Sequence, residues 1–280
     1  MIEYAGILYH PKIAATLPMA EQVSQWLQAR GVQTWIASTE EETAINGQMD
    51  QFSLLIVLGG DGSTLRAARL SVPHGVPIFG INMGRIGFLS EANPQNWQER
   101  LTKVLEGAYW VENRLMLYAA LQRQGQTVGT FTALNDIVVG RGKQARMLHL
   151  HLHVDGDLVT TYTADGLIVA TPTGSTAYSM AVGGPLLPPQ LQNFVVVPVA
   201  AHLSLDRALV LHEEAEITIT VHMDHEAMLT ADGQGSIDVA DGDVVCVRKH
   251  ENHCAFARVE SAGYFYRRLM RRLGFHLSQG

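Results

Sequence analysis

Residues 53–70 read SLLIVLGGDGSTLRAARL, and this stretch decides the fold. From Leu54 an unbroken apolar run extends to Leu58, the pattern of a strand buried on both faces in a parallel sheet. Gly59 and Gly60 stop it, Asp61, Gly62, Ser63 and Thr64 follow, and an Ala/Leu/Arg segment with helix preference begins. Strand, glycine loop and helix start together make an anion site. Backbone N–H groups and the helix dipole favour negative charge there, and glycines admit a phosphate closely. A carboxylate at the centre of such a loop is a poor phosphate ligand by itself. Asp61 makes chemical sense as a metal ligand, or as the acceptor of a proton from a hydroxyl that attacks phosphorus. An ordinary strand-to-helix turn carries similar letters. No G-x-x-x-x-G-K-[ST] occurs in the chain and no strict G-x-G-x-x-G opens a dinucleotide unit, so nucleotide chemistry here needs another frame.

Outward from this unit, residues 4–9 read as a buried strand, 19–30 as an amphipathic helix stopped by Gly31, and 34–37 as a second strand. The acidic, then polar, stretch 40–51 reads as loop, 76–81 as a further strand, and Asn93-Pro94 as the start of a helix ending near Gly107. This alternation predicts an α/β domain over 1–109 with a mostly parallel, Rossmann-like sheet. From Trp110 the texture changes. Residues 147–154 alternate strictly, Asp155-Gly156 signals a hairpin, and 158–163 return; 216–222, 227–230, 236–239 and 244–248 repeat the theme between turn pairs. An all-β sandwich over 110–260 is predicted. The tail, 264–273, is helical again, and 261–280 are predicted to pack back on the first domain.

At 280 residues the chain is long enough for two cores, and 47% hydrophobic with 17% charged residues is a soluble, globular composition. A net charge of −7 argues against general binding to nucleic acid or a membrane surface, and no apolar run approaches spanning length. The opening MIEYAGILYH has no basic n-region. Cys246 and Cys254 lack metal-ligand neighbours and fit reduced thiols in the cytoplasm. His149, His151 and His153 share one strand face, which reads as solvated rather than metal-binding, with no fourth ligand near in sequence. Arg267, Arg268, Arg271 and Arg272 make a basic helical face suited to surface exposure or salt bridges.

Four further clusters carry chemistry-bearing residues. Residues 82–89, NMGRIGFL, follow a strand of the α/β domain, where loops at carboxyl strand ends line the binding crevice. Asn135 and Asp136 interrupt an apolar β stretch, as a bulge or turn would, or as an Asp accepting from ribose hydroxyls would. Residues 164–178, ADGLIVATPTGSTAY, break at a proline into hydroxyls suited to a helix N-terminus that meets phosphate and ribose, and Gly183-Gly184-Pro185 follows. Asp232-Gly233-Gln234 is a tight turn with a polar tail.

The order GGDGS (59–63), NMGRIGFL (82–89), LND (134–136), ADGLIVATPTGSTAY (164–178), GGP (183–185) and DGQ (232–234) resembles the NAD kinase family along nearly the whole chain. That resemblance implies a nucleotide-binding α/β domain plus a β-sandwich domain, and phosphoryl transfer from ATP to the adenosine-ribose 2′-hydroxyl of NAD. It implies Asp61 as proton acceptor with Gly62 beside it on the nucleotide, and Asn135 and Asp136 as an NAD-binding pair. It also implies a dinucleotide pocket at Asp165, Thr176, Ala177 and Tyr178, flanked by Thr173, Ser179, Met180 and Ala181. Arg66, Arg146, Thr163 and Gln234 fall at further contact positions. A divalent cation, normally Mg²⁺, is implied on the donor phosphates, with its protein ligands unassigned, and so is a homodimer or homotetramer. Ser63 stands where the family usually has Thr, and Ala181 where Ser is common. Lipid and sugar kinases share only the GGDG loop, and a non-catalytic NAD(P)-sensing module leaves Asp61 unexplained.

Overall fold

The computed structural model describes residues 2–84, 87–143, 146–202 and 205–272. Arg85 and Ile86 of the 82–89 motif, and the part of the tail beyond Arg272, lie outside the described residues. The chain forms two units, Met1–Arg114 with Asn252–Gly280, and Leu115–Glu251.

In chain order the first unit holds β1 (Tyr4–Tyr9), α1 (Thr16–Gln28), β2 (Gln33–Ser38), α2 (Glu42–Gln48), β3 (Leu54–Gly59), α3 (Asp61–Ser71), β4 (Ile78–Asn82), α4 (Trp97–Leu105) and β5 (Trp110–Arg114). The second holds β6 (Leu117–Arg123), β7 (Gln126–Ala133), β8 (Asp136–Arg141), β9 (Leu148–Val154), β10 (Asp157–Ala164), β11 (Gly166–Ala170) and the one-turn α5 (Tyr178–Ala181). It continues through β12 (Asn193–Val199), β13 (Leu209–His212), β14 (Ile217–His222), β15 (Ala227–Ala231), β16 (Gly235–Val239) and β17 (Val244–Lys249). The chain then re-enters the first unit with β18 (Cys254–Arg258) and α6 (Tyr264–Arg272).

The first sheet runs β2-β1-β3-β4-β18-β5, parallel throughout except for the antiparallel β18–β5 pair. All six residues of β3 are buried, as a strand covered on both faces requires. Helix α1 lays Ala20, Val23 and Leu27 against the sheet at helical spacing. Helix α6 buries Tyr264, Phe265 and Leu269 beside Phe88.

Four expectations are corrected. Residues 42–48 are helical, not loop: Ile45 and Met49, four apart on one face, are fully buried and anchor a segment whose polar letters hid it. Helix α1 starts at Thr16, three residues early. Helix α4 starts at Trp97, because Asn93 and Asn96 spend their side chains on a turn, accepting from the Gln95 and Asn93 N–H groups. The expected boundaries at 109/110 and 260/261 stand at 114/115 and 251/252, since Trp110–Arg114 and Cys254–Arg258 pair with each other in the first sheet.

The second unit consists, among the described residues, of two six-stranded antiparallel sheets, β10-β9-β14-β17-β6-β7 and β13-β12-β11-β8-β15-β16. Leu148, Leu150 and Leu152 of one sheet share a core with Ile137, Val139, Leu167 and Val169 of the other, which makes the unit a sandwich. The outer face of β11 and β12 is closed by Val182 and Leu187 from the segment that follows β11.

One buried ionic network ties the first unit. Arg258, with no exposed surface, donates from Nε to Glu112 (2.9 Å) and from Nη1 to the Leu89 carbonyl (3.0 Å). Glu112 also accepts from Arg114 Nε (3.0 Å) and the Tyr264 hydroxyl (2.9 Å). Glu91 accepts from Arg100 and from the Val259 and Glu260 N–H groups. Burial opposes the charge on Glu112, yet Arg114 and Arg258 outweigh it and hold the carboxyl below its ordinary range. Arg258→Met leaves buried carboxylates without this partner, so the first unit should lose about 3–5 kcal/mol. All four tryptophans (26, 35, 97 and 110) lie in that unit, so its urea midpoint is readable by fluorescence. A midpoint unchanged from the parent would remove the network from the stability account.

Candidate active site

In the first unit, Asp61 opens α3, directly after Gly60 in extended backbone. Its carboxylate accepts from the Phe88 N–H (3.1 Å) and the Leu89 N–H (3.2 Å), so the 87–89 loop lies on it. A Cβ at Gly87 would collide with this carboxylate, so only glycine allows that approach. Asn82, at the end of β4, accepts from the Gly84 N–H (2.7 Å), and the Met83 N–H donates to the Gly59 carbonyl (3.1 Å), joining the two loops. A cavity of about 640 Å³ opens here, lined by Gly60, Asp61, Asn82, Gly87, Arg268, Arg271 and Arg272. Arg272 Nη1 is 3.7 Å from Asp61 Oδ2. Gly62 lies exposed in the first turn of α3. Arg66 is engaged elsewhere, 3.5 Å from the Thr39 carbonyl and 3.8 Å from Glu42.

In the second unit, Asn135 and Asp136 stand at the start of β8, clasped by the β15–β16 turn. The Asp232 carboxylate accepts from the N–H groups of Leu134 (3.0 Å), Asn135 (2.7 Å) and Asp136 (3.2 Å), and the Asp232 N–H donates back to the Asp136 carbonyl (2.9 Å). Sequence reading found only a turn at 232–234; nothing local links it to a pair almost a hundred residues earlier. Gln234 belongs to the same turn.

The 171–178 run is packed against that pair. The Thr171 hydroxyl donates to the Leu134 carbonyl (2.5 Å), the Thr171 N–H donates to the Asn135 carbonyl (2.9 Å), and a Cβ at Gly174 would collide with that carbonyl. The helix start expected after the proline is only a short one. Gly174–Thr176 is a 3₁₀ turn and α5 has four residues, so no helix N-terminus offers itself to phosphate. The hydroxyls of Ser175 and Thr176 bond the loop's own carbonyls, at Pro172 and Thr173, which makes them builders of the loop. Thr173 and Ser179 are buried, whereas Tyr178 and Ala181 are exposed, with Ala177 and Met180 between. Ser179 Oγ is buried without a hydrogen-bond partner.

Thr163, Asp165 and Arg146 form a separate group. Asp165 pairs with Arg141 (3.1 Å), Thr163 Oγ1 with His149 Nδ1 (3.2 Å), and Arg146 with Asp224 (3.1 Å). Asp136 lies opposite Ala170, whereas Asp165 precedes Gly166 at the other end of β11. The two groups are thus a strand length apart, roughly 17 Å at 3.4 Å per residue. His149, His151 and His153 lie opposite the leucine face of β9, where His151 packs on His222 at 4.7 Å between ring centres.

Among the described residues no helix is long and apolar enough to cross a membrane. The ATP-NAD kinase N-terminal domain matches residues 31–109 and the ATP-NAD kinase C-terminal domain matches 134–259. The chain is 39% identical over 273 residues to the NAD kinase of Chloroflexus aggregans, covering 98% of this chain and 99% of that one. It is 40% identical over 266 residues to the NAD kinase of Moorella thermoacetica, covering 92% and 84%. Among solved structures it is similar to an NAD kinase from Archaeoglobus fulgidus in complex with ATP, with TM-score 0.79, 28% identity and coverage of 98% and 99%. Yeast NADH kinase complexed with NADH shares the fold, with TM-score 0.87, 23% identity and coverage of 100% and 89%.

The clasp around Asp136 has a pH signature. Burial first, then the neighbouring Asp232 charge, push its carboxyl up from 3.8 to about 7. Between these values the folded chain keeps a proton that the unfolded chain has lost, so this contribution to stability is present at low pH and disappears as pH rises through about 7. Unfolding followed by circular dichroism should show stability falling from about pH 5 to about pH 8, and falling less in Asp136→Asn. The same fall in parent and variant would place the titration on another group.

Proposed function

This chain belongs to the NAD kinase family, and we propose that Asp61 takes the proton from the adenosine-ribose 2′-hydroxyl of NAD as that oxygen attacks the donor phosphorus. The reaction is a phosphotransfer in which ATP and NAD give ADP and NADP. What carries the assignment of the base is the Asp61 carboxylate itself, presented on two backbone N–H groups at the rim of a cationic cavity. A module that only bound phosphate would gain nothing from a carboxylate there. The two N–H donors fix the orientation of the carboxylate before substrate arrives, which removes reorganisation from the reacting step. Each oxygen keeps a lone pair for the incoming hydroxyl. Gly62, in the first turn of α3, leaves room for the nucleotide beside it.

In the second unit, Asn135 and Asp136 supply amide and carboxyl groups for the sugar and base of NAD, and Asp232 is their positioning residue. Thr173, Thr176 and Ala177 form the wall of that pocket, with the exposed Tyr178 ring as a stacking face. Ser179, Met180, Ala181 and Gln234 edge it. Arg146, Thr163 and Asp165 carry further nucleotide contacts, and Arg66, in the first unit, joins them only on leaving Thr39 and Glu42. Because Asp165 stands a strand length from Asp136 within one chain, we also propose a homo-oligomer, dimer or tetramer, that gives the Asp165 group access to a neighbouring copy's nucleotide. Monomeric mass by light scattering at micromolar concentration would count against it. The two free cysteines, Cys246 and Cys254, fit a cytoplasmic protein.

The divalent cation fits as a nucleotide-borne ion. The cavity lining contributes one carboxylate, Asp61, and Mg²⁺ is characteristically held by one or two carboxylates together with phosphate oxygens and water. When bound it would neutralise charge on the donor phosphates.

Purified protein incubated with NAD, ATP and Mg²⁺ should yield product that a NADP-specific dehydrogenase accepts. Asp61→Asn should lower kcat by about 10²–10⁴-fold, the usual share of a general base, with NAD affinity retained. Equal loss of kcat and NAD affinity would instead make Asp61 a binding or folding residue.

A further inference from the structure

We propose that Arg271 and Arg272, in the last described turn of α6, clamp the polyphosphate of the nucleoside triphosphate donor. The inference rests on the phosphotransfer reading above and assigns the donor side of that site. The cavity beside Asp61 is lined by three guanidinium groups and one carboxylate, in a chain whose net charge is −7. A cationic concavity on an acidic protein concentrates anions where they are wanted and little elsewhere.

The three arginines are not equivalent. Arg268 is buried and committed: it pairs with Glu260 (2.6 Å), approaches Glu91 (3.5 Å) and donates to the Ser90 carbonyl. It belongs to the scaffold. Arg272 is half exposed and lies over the Phe88 ring at 4.9 Å, and its one ion-pair contact among the described residues is Asp61, at 3.7 Å, too long for a hydrogen bond. The ring lies within cation–π reach of the guanidinium, whose planar fork of N–H groups can take two phosphate oxygens at once. Arg271 is exposed at the same cavity and has no ion-pair partner among the described residues. Gly60 and Gly87 line the same cavity without side chains, which leaves the half-buried Gly60 backbone open to close approach by an oxyanion. One guanidinium without an ion-pair partner among the described residues and one held only loosely by Asp61 suit a chain of closely spaced phosphates better than a single carboxylate or sulfate. Donor phosphate would draw Arg272 from Asp61 and open the carboxylate to the acceptor hydroxyl.

The test uses the full chain with Arg271→Gln, Arg272→Gln and the pair combined, and with Arg271→Lys. ATP affinity is measured calorimetrically without acceptor, NAD affinity is measured separately, and KM is taken for both substrates. Each Gln change should weaken ATP binding and raise KM for ATP about tenfold or more, with NAD affinity within about twofold of the parent. Lys at 271 should recover part of the loss, because it keeps the charge but not the fork. Inorganic tripolyphosphate should compete with ATP on the parent protein. Arg267→Gln, outside this cavity, should change neither affinity. ATP affinity unchanged in Arg271→Gln, whose side chain is exposed and has no ion-pair partner among the described residues, would overturn the clamp, and so would tripolyphosphate that fails to compete. If the parent makes no NADP yet binds ATP through Arg271, the phosphotransfer reading fails and the clamp stands. If NADP forms and the arginine variants bind ATP like the parent, only the clamp fails.

Discussion

A guanidinium sealed from water holds the first unit of this protein in register. Arg258 reaches Glu112 on the neighbouring strand and the Leu89 carbonyl on the loop, and the Leu89 N–H in turn reaches Asp61. The proposed base is therefore positioned by a charge that never touches substrate. Burying such ions costs several kcal/mol each in lost hydration, and their mutual attraction recovers this only where hydrogen bonds satisfy the remaining donors and acceptors. Here Glu112 and Glu91 accept from Arg114, Tyr264, Arg100 and two backbone N–H groups, which satisfies the carboxylates, while Arg258 Nη2 stays buried without a hydrogen-bond partner. A geometry that depends on several charges at once has few alternatives, and an apolar plug of the same volume would not specify where the 87–89 loop must lie.

Glycines work with this network at the same place. Gly87 is needed because the carboxylate occupies the space a Cβ would take, and Gly174 because the Asn135 carbonyl does the same in the second unit. In both units a motif glycine marks where one loop is pressed against a residue proposed for the site, the base in one and an NAD-binding residue in the other. The hydroxyl run from Thr171 to Thr176 likewise serves geometry before binding, since its oxygens close the loop on itself.

Much of this was legible in the sequence, because β3, the glycine loop and α3 are governed by rules spanning neighbouring residues. A continuous apolar run, a double glycine and an acidic helix start are local signals, and the alternation of β9 and β10 is another. What escaped was long-range or compositional. Helix α2 is polar in letters and its buried anchors are Ile45 and Met49, so periodicity over so short a stretch was invisible. Glu91, Glu112 and Arg258 are ordinary charged residues in sequence; only the fold brings them to one point. The Asp232 clasp was hidden for the same reason, and the α6 arginines, read as a basic face for solvent and salt bridges, turned out to divide between scaffold and cavity.

The antiparallel pairing of β5 with β18, Arg114 opposite Cys254, has a consequence for biosynthesis. These two strands flank the whole second unit, so the ribosome must deliver every residue of the sandwich before the last strand of the first sheet exists. Until residue 258 emerges, β5 lacks its neighbour and Glu112 lacks its guanidinium. The inserted sandwich can close on itself during synthesis, whereas the unit begun first is completed after it, and the loop that holds the Asp61 carboxylate gains its Arg258 support only then.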